Sequence, residues 1–197
     1  MPGDPMSFAA TQRASKGPAA VRVGFFGKIP TRGDFVQAGL SRHFTQAWDG
    51  WVQAVLPPCR KLFGQSWEDV WRAAPCCRFA LPGGQCGAAP VLGLLLPSAD
   101  RAGRLFPFMI AAEGADDGSG FLDAAEQVGR DAVGGALSPG LLLSRLADIV
   151  PPPPVVDMAL GMTAGRWWSG QGSPAADAVV LLTGLPDATA LAGMLRR

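Results

Sequence analysis

Charged and hydroxyl side chains gather in two glycine-bearing stretches. The first is Gly24-Phe25-Phe26-Gly27-Lys28-Ile29-Pro30-Thr31-Arg32-Gly33-Asp34-Phe35, where an apolar run enters a turn carrying Lys28, Arg32 and Asp34. The second is Ser98-Ala99-Asp100-Arg101-Ala102-Gly103-Arg104. Side chains of these types can cradle a phosphate, hydrolyse an acyl bond, hold a metal or pair with one another.

Gly27-Lys28 after an apolar run suggests a phosphate loop. That loop needs glycine five residues before the Gly-Lys pair and Ser or Thr after the lysine. Arg22 and Ile29 stand at those places, and no Gly-x-Gly-x-x-Gly opens a helix. Ser98, His43 and Asp100 are the residue types of a hydrolytic triad. No Gly-x-Ser-x-Gly elbow frames Ser98, and His43 falls on the wet flank of its helix. Cys59, Cys76, Cys77 and Cys86, with one histidine, lack the Cys-x-x-Cys spacing of a zinc site. The tripeptide Arg32-Gly33-Asp34 is too short to specify adhesion. The expectation is a protein without catalytic groups, cofactor or metal, its thiols unpaired. A small-ligand- or nucleotide-binding domain or enzyme, using the Gly27–Asp34 and Ser98–Arg104 loops, is the alternative.

Ion pairing remains. Either the Ser98–Arg104 stretch is a solvated hairpin loop with weak surface salt bridges, or Arg32, Asp34, Asp100 and Arg104 converge in one polar cluster at a sheet end, with Arg101 as a further partner. Ser98 and Asp100 accept backbone N–H groups, Gly27, Gly33 and Gly103 give the backbone freedom, and Pro30 stiffens the turn. Buried charges must be paired and hydrogen-bonded, so such a cluster would brace both loops.

The elements that position these loops are legible from periodicity. Residues 21–27 read as a strand. Leu40, Phe44, Ala47, Trp48, Trp51, Val52, Val55 and Leu56 recur at helical steps, with Asp49 on the opposite side. Ser41 caps that helix, and Pro57-Pro58 stops it or starts a new turn. Ser66 is expected to cap a short helix that ends before Pro75. Residues 76–81, 91–96 and 105–112 read as strands, too closely spaced for crossover helices and so antiparallel. A helix runs from Phe121 to about Leu137, and Ser138-Pro139 opens another to Ile149. Pro151 to Pro154 form a stiff spacer. Residues 164–168 and 178–183 are strands, and Asp187 caps a last helix. The order β-α-α-β-β-β-α-α-β-β-α implies an α+β fold. We expect a mobile tail at 1–20 and one compact domain at 21–197, a largely antiparallel central sheet covered by helices.

Composition bounds the function. Of 197 residues, 48% are hydrophobic and 17% charged, enough for a large core. The net charge is +1 with scattered basic residues, which argues against nucleic-acid binding. No apolar run approaches the ~20 residues of a membrane span, and none precedes residue 21. A cytoplasmic protein with no direct membrane insertion is expected. Trp48, Trp51, Trp67 and Trp71 are expected in the core. Trp167 and Trp168 are neighbours in a strand and point to opposite faces. One of them is expected to be exposed or to cover a loop, and an exposed one would be a protein-binding hot spot.

The stretch from Gly24 to Val36 resembles the opening of the TagF/ImpM family, accessory proteins of the bacterial type VI secretion system. Trp48, Asp49 and Trp51 match its Trp-Asp-x-Trp element. Pro97 to Pro107 is similar to its Pro-Ser-x-Asp-x-x-Gly-Arg-x-Phe-Pro, and Trp167-Trp168-Ser169 and Gly184-Leu185-Pro186 resemble its closing elements. The resemblance implies a non-enzymatic, post-translational negative regulator of secretion. It implies binding to a forkhead-associated scaffold protein and recruitment to the inner-membrane complex; a structural component of the apparatus is the other reading. Gly27, Lys28, Pro30, Arg32, Gly33, Asp34, Asp49, Ser98, Asp100, Gly103, Arg104, Trp167 and Trp168 are the candidate contact and motif residues.

Overall fold

The computed structural model describes residues 20–155, 163–170 and 179–196. The expected tail at 1–20 lies outside these apart from Ala20. Seven strands form one sheet: β1 (Arg22–Gly27), β2 (Val36–Ala38), β3 (Cys77–Leu81), β4 (Val91–Leu96), β5 (Phe108–Glu113), β6 (Gly165–Ser169) and β7 (Val180–Leu182). Their order is β2-β1-β5-β4-β3-β6-β7, and every neighbouring pair is antiparallel. The helices are α1 (Arg42–Phe63), α2 (Trp67–Ala73), α3 (Ser119–Val133), α4 (Pro139–Ala147) and α5 (Ala188–Leu195). The α+β architecture expected from the sequence is the one observed.

Both faces of the sheet are covered. Leu92, Leu94, Leu96, Phe108 and Ile110 pack against Phe121, Ala125 and Val128 of α3 and Leu142 and Leu146 of α4. On the other face Phe26, Phe79, Leu95, Met109 and Trp167 pack against Phe44, Trp48 and Val52 of α1. A third cluster joins α1, α2 and α5 through Val55, Cys59, Trp67, Trp71 and Leu191. Strands buried on both faces read as near-continuous apolar runs, as β4 and β5 do; β3 is buried as well but carries Arg78.

Local chemistry explains most boundaries. The hydroxyl of Ser41 accepts from the Phe44 amide at 3.2 Å and donates to Glu113 at 2.7 Å, so the α1 cap is anchored to β5. Ser138 and Asp187 cap α4 and α5 as expected. Three expectations fail here. Pro57 and Pro58 lie inside α1, which continues to Phe63. Both prolines are exposed, as are Gln53 and Ala54, whose carbonyls lose their N–H partners, so the interruption lies on the outer side of the helix. Ser66 makes no capping hydrogen bond, because it closes a 3-10 turn over Gly64–Ser66 instead. Helix α3 ends at Val133 rather than Leu137, where Gly134-Gly135 breaks it with Gly135 at φ 82°.

A buried charge network holds α3 to the sheet. Arg78 of β3 has no exposed surface. Its Nε and Nη2 donate to Glu126 Oε2 at 3.0 and 2.7 Å, and Nη2 lies 2.7 Å from Asp123. The other oxygen of Glu126 accepts from Arg130 Nε at 3.0 Å.

Candidate functional site

The strand register brings the two glycine-bearing loops together. Gly27 pairs with Phe108 and Phe108 with Leu96, so β1 ends, β4 ends and β5 begins in one row. The loops at 28–35 and 97–107 therefore leave the same end of the sheet. Gly27 is held at φ 138°, and a Cβ there would overlap the Pro107 carbonyl oxygen. Glycine is required at that point for the loops to meet.

Asp100 is their hub and is 3% exposed. Its Oδ2 accepts from Lys28 Nζ at 2.9 Å and from Arg104 Nε at 2.6 Å. Its Oδ1 accepts the backbone amides of Ala102 at 2.9 Å and Arg104 at 3.0 Å. Desolvation alone would raise the Asp100 carboxyl pKa. The donors from Lys28, Arg104 and Ala102 outweigh it and hold the group well below the usual carboxylate range. Gly103 closes the turn at φ 79°, with its amide donating to the Asp100 carbonyl at 2.9 Å.

Three further bonds tie the loops together. The Ser98 hydroxyl donates to the Lys28 carbonyl at 2.7 Å, the Arg101 amide to the Arg32 carbonyl at 2.9 Å, and Arg104 Nη2 to the Gly33 carbonyl at 2.8 Å. Trp71 Nε1 donates to the Ser98 carbonyl at 3.0 Å, which pins α2 beneath the loop. Phe35 caps this corner. Its ring packs on Phe26 and Phe106, Lys28 Nζ sits 5.1 Å from its centroid, and it remains 47% exposed.

The expected cluster needs correction in its membership. Lys28 takes the place expected for Arg32 and Asp34. The side chains of Arg32 and Asp34 are exposed and belong to no ion pair among the described residues. The reason lies in the turn. Ile29 is fully buried and Thr31 donates to the Leu137 carbonyl at 3.0 Å, so residues 30–34 are drawn toward the α3–α4 connection. Pro30 is half-buried in that same turn. Arg104 is 64% exposed at its side chain, so it roofs the cluster rather than lying within it. His43, exposed on α1, partners neither Ser98 nor Asp100.

The tryptophan expectation is also corrected. Trp167 and Trp168 do point to opposite faces, but they are 0% and 8% exposed, because helices cover both. They form part of the core, not a surface. Trp167 stacks with Trp48 and packs at a tilt against Phe79. Asp49 lies on α1 away from the loops and accepts from Gln53 at 2.7 Å. Trp51, between the two, donates to the Pro186 carbonyl at 2.8 Å, which links two of the sequence elements quoted above.

Sequence reasoning missed two features. The Arg78–Glu126 pair spans 48 residues and depends on which face of a doubly covered sheet Arg78 takes. The edge strand β2 is three residues long, too short for a periodic signal. Among the described residues no group of His, Cys, Asp and Glu is arranged to hold a metal, and no helix is long and apolar enough to cross a membrane.

Comparison with known proteins agrees with the loop motifs. No curated protein matches the chain. A crystal structure of PA0076 from Pseudomonas aeruginosa PAO1 superposes with a TM-score of 0.77 at 26% identity, over 88% of this chain and 93% of that one. The family model described as the TagF N-terminal domain, type VI secretion system-associated, matches residues 24–141, more than half the chain and the whole of both loops. The chain belongs to the TagF family of type VI secretion-associated proteins.

Proposed function

We propose that this protein is a non-enzymatic accessory factor of type VI secretion that restrains the apparatus after translation, by docking on a forkhead-associated scaffold protein. The observation that carries this reading is the saturation of the loop cluster. Asp100 accepts four hydrogen bonds, and the Ser98 hydroxyl is engaged with the Lys28 carbonyl. A general base needs a free lone pair and a nucleophilic hydroxyl needs a base to take its proton, whereas the Asp100 lone pairs are taken and the Ser98 proton goes to a backbone carbonyl. These groups instead spend their polar capacity on holding two loops rigid. What the loops present outward is an exposed aromatic, Phe35, beside exposed arginines 32, 101 and 104. Aromatic and arginine side chains on a rigid base are the composition of protein-binding hot spots. Rigid presentation also lowers the entropy lost on binding.

Deleting the gene in its own host tests the direction of the effect. Loss of a brake raises type VI secretion; loss of a structural component abolishes it. A thermal-shift screen against nucleotides and phosphoesters tests the enzymatic alternative. A ligand-dependent rise in melting temperature there overturns the docking reading, since a ligand that binds only the native state must raise it.

A further inference from the structure

Two clefts open at the turn that Asp100 stabilises. One, of about 550 Å³, is lined by Leu56, Arg60, Lys61, Trp67, Arg104 and Leu105 among others. The other, of about 450 Å³, is lined by Arg32, Asp34, Phe35 and Arg101 among others. Residues 103–105 line the first cleft and Arg101 of the same turn lines the second, and Arg104 links them by its bond to the carbonyl of Gly33, which lines the second. Arg32, Arg60, Lys61, Arg101 and Arg104 are all exposed. Among the described residues the carboxylates lining the clefts are Asp34 and Glu68, and Glu68 lies 3.9 Å from Arg72. The region therefore holds a surplus of three positive charges, in a chain whose net charge is +1.

We infer that these clefts form one binding surface for an acidic, amphipathic segment of a partner protein. Charge complementarity sets the sign of the partner. The floor sets its class. Leu56, Trp67 and Leu105 in one cleft and half-exposed Phe35 in the other offer apolar seats between the cations. Carboxylates alternating with apolar side chains fit both features. A nucleic-acid backbone would use the cations and leave the apolar seats empty. Arg104 is fixed by Asp100 and Gly33 while its side chain stays 64% exposed, so one anchor is ordered before binding.

The inference rests on the docking reading and names its surface and partner chemistry. The probe is a fluorescein-labelled 16-residue peptide of alternating Glu and Leu, titrated with the full chain and read by anisotropy. The comparisons are the same peptide with Gln for Glu and a single-stranded DNA 16-mer. We expect saturable binding of the Glu peptide that weakens as salt rises, and binding at least about tenfold weaker for the Gln peptide. Arg60→Glu with Lys61→Glu, and Arg32→Glu with Arg101→Glu, should each weaken it at least about fivefold, while Arg22→Glu, at the far end of β1, leaves it unchanged. Unchanged binding in both double variants, no saturation by the wild type, or DNA binding as tight as the Glu peptide overturns the inference. The docking reading itself falls on a separate result, failure of the purified scaffold protein to bind the wild type.

Discussion

Replacing Arg78 by methionine tests the buried network that fastens α3 to the sheet. The substitution keeps most of the side-chain volume and removes the charge. Glu126, itself 3% exposed, then keeps only Arg130, whose side chain is 55% exposed. Removing one partner of a buried pair costs about 3–5 kcal/mol, because the other charge is left desolvated. With a urea m-value of about 2 kcal/mol/M, the unfolding midpoint falls by about 1.5–2.5 M. The melting temperature falls by about 6–20 °C for a chain of this size. Adding Glu126→Leu removes the stranded carboxylate. Replacing a whole buried pair by apolar side chains is often close to neutral. Among the described residues Arg78 Nη1 also has no hydrogen-bond partner, so methionine removes an unmet donor as well. The double variant should therefore be more stable than Arg78→Met alone. Urea unfolding followed by far-ultraviolet circular dichroism and tryptophan fluorescence reads both. A midpoint shift under about 0.5 M for the single variant, or a double variant at the sum of the two singles, refutes the reasoning.

Other consequences follow from the same structure. Lys28→Met should lower the urea midpoint more than Arg104→Ala, since their side chains are 12% and 64% exposed and each loses a bond to the same carboxylate. Equal shifts would mean that burial does not rank the two. The depressed pKa of Asp100 stabilises the fold above the unfolded value of about 4, and this contribution is lost as pH falls from there toward the lower folded value. Asp100→Asn should flatten the acid limb of stability against pH below about 4; a wild-type slope in the variant would contradict the linkage. Gly27→Ala should prevent stable folding, because a side chain there meets both an unfavourable φ and the Pro107 carbonyl. Gly103→Ala, in open space, should cost only about 1–2 kcal/mol, read by the same unfolding curves. Burial raises the thiol pKa of Cys59 to about 11 and of Cys86 to about 12, and pushes Cys76 up as well. All four cysteines are buried and none forms a disulfide among the described residues, so a disulfide-exchange reagent at pH 8 should react slowly with the native protein and rapidly with all four in urea. Fast labelling of the native chain would show that the core opens easily.

The sequence carried the features whose physics is local. Ser41, Ser138 and Asp187 cap their helices because a short polar side chain satisfies an amide two or three residues on, whatever surrounds it. The apolar runs of β3, β4 and β5 were legible as strands for a similar reason. Non-local features were not legible. Pro57-Pro58 signals a helix end, yet tertiary packing of Val55, Cys59 and Phe63 carries α1 through it. Trp167-Trp168 suggested an exposed ring only on the assumption that one sheet face is wet, and both are covered. The candidate site was half visible. Asp100 and Arg104 lie in one turn and were both expected in the cluster, whereas Lys28 as the second cation depends on the strand register that aligns Gly27, Phe108 and Leu96.

The most direct test of the account is a binding isotherm for the purified forkhead-associated scaffold protein. It should be measured with the wild-type chain and with Phe35→Ala. Saturable binding by the wild type, weakened about tenfold or more in a variant that keeps its circular dichroism spectrum, is the expected result for a hot-spot aromatic. No binding by the wild type, or equal binding by Phe35→Ala, would contradict the claim that the braced loops form the docking face.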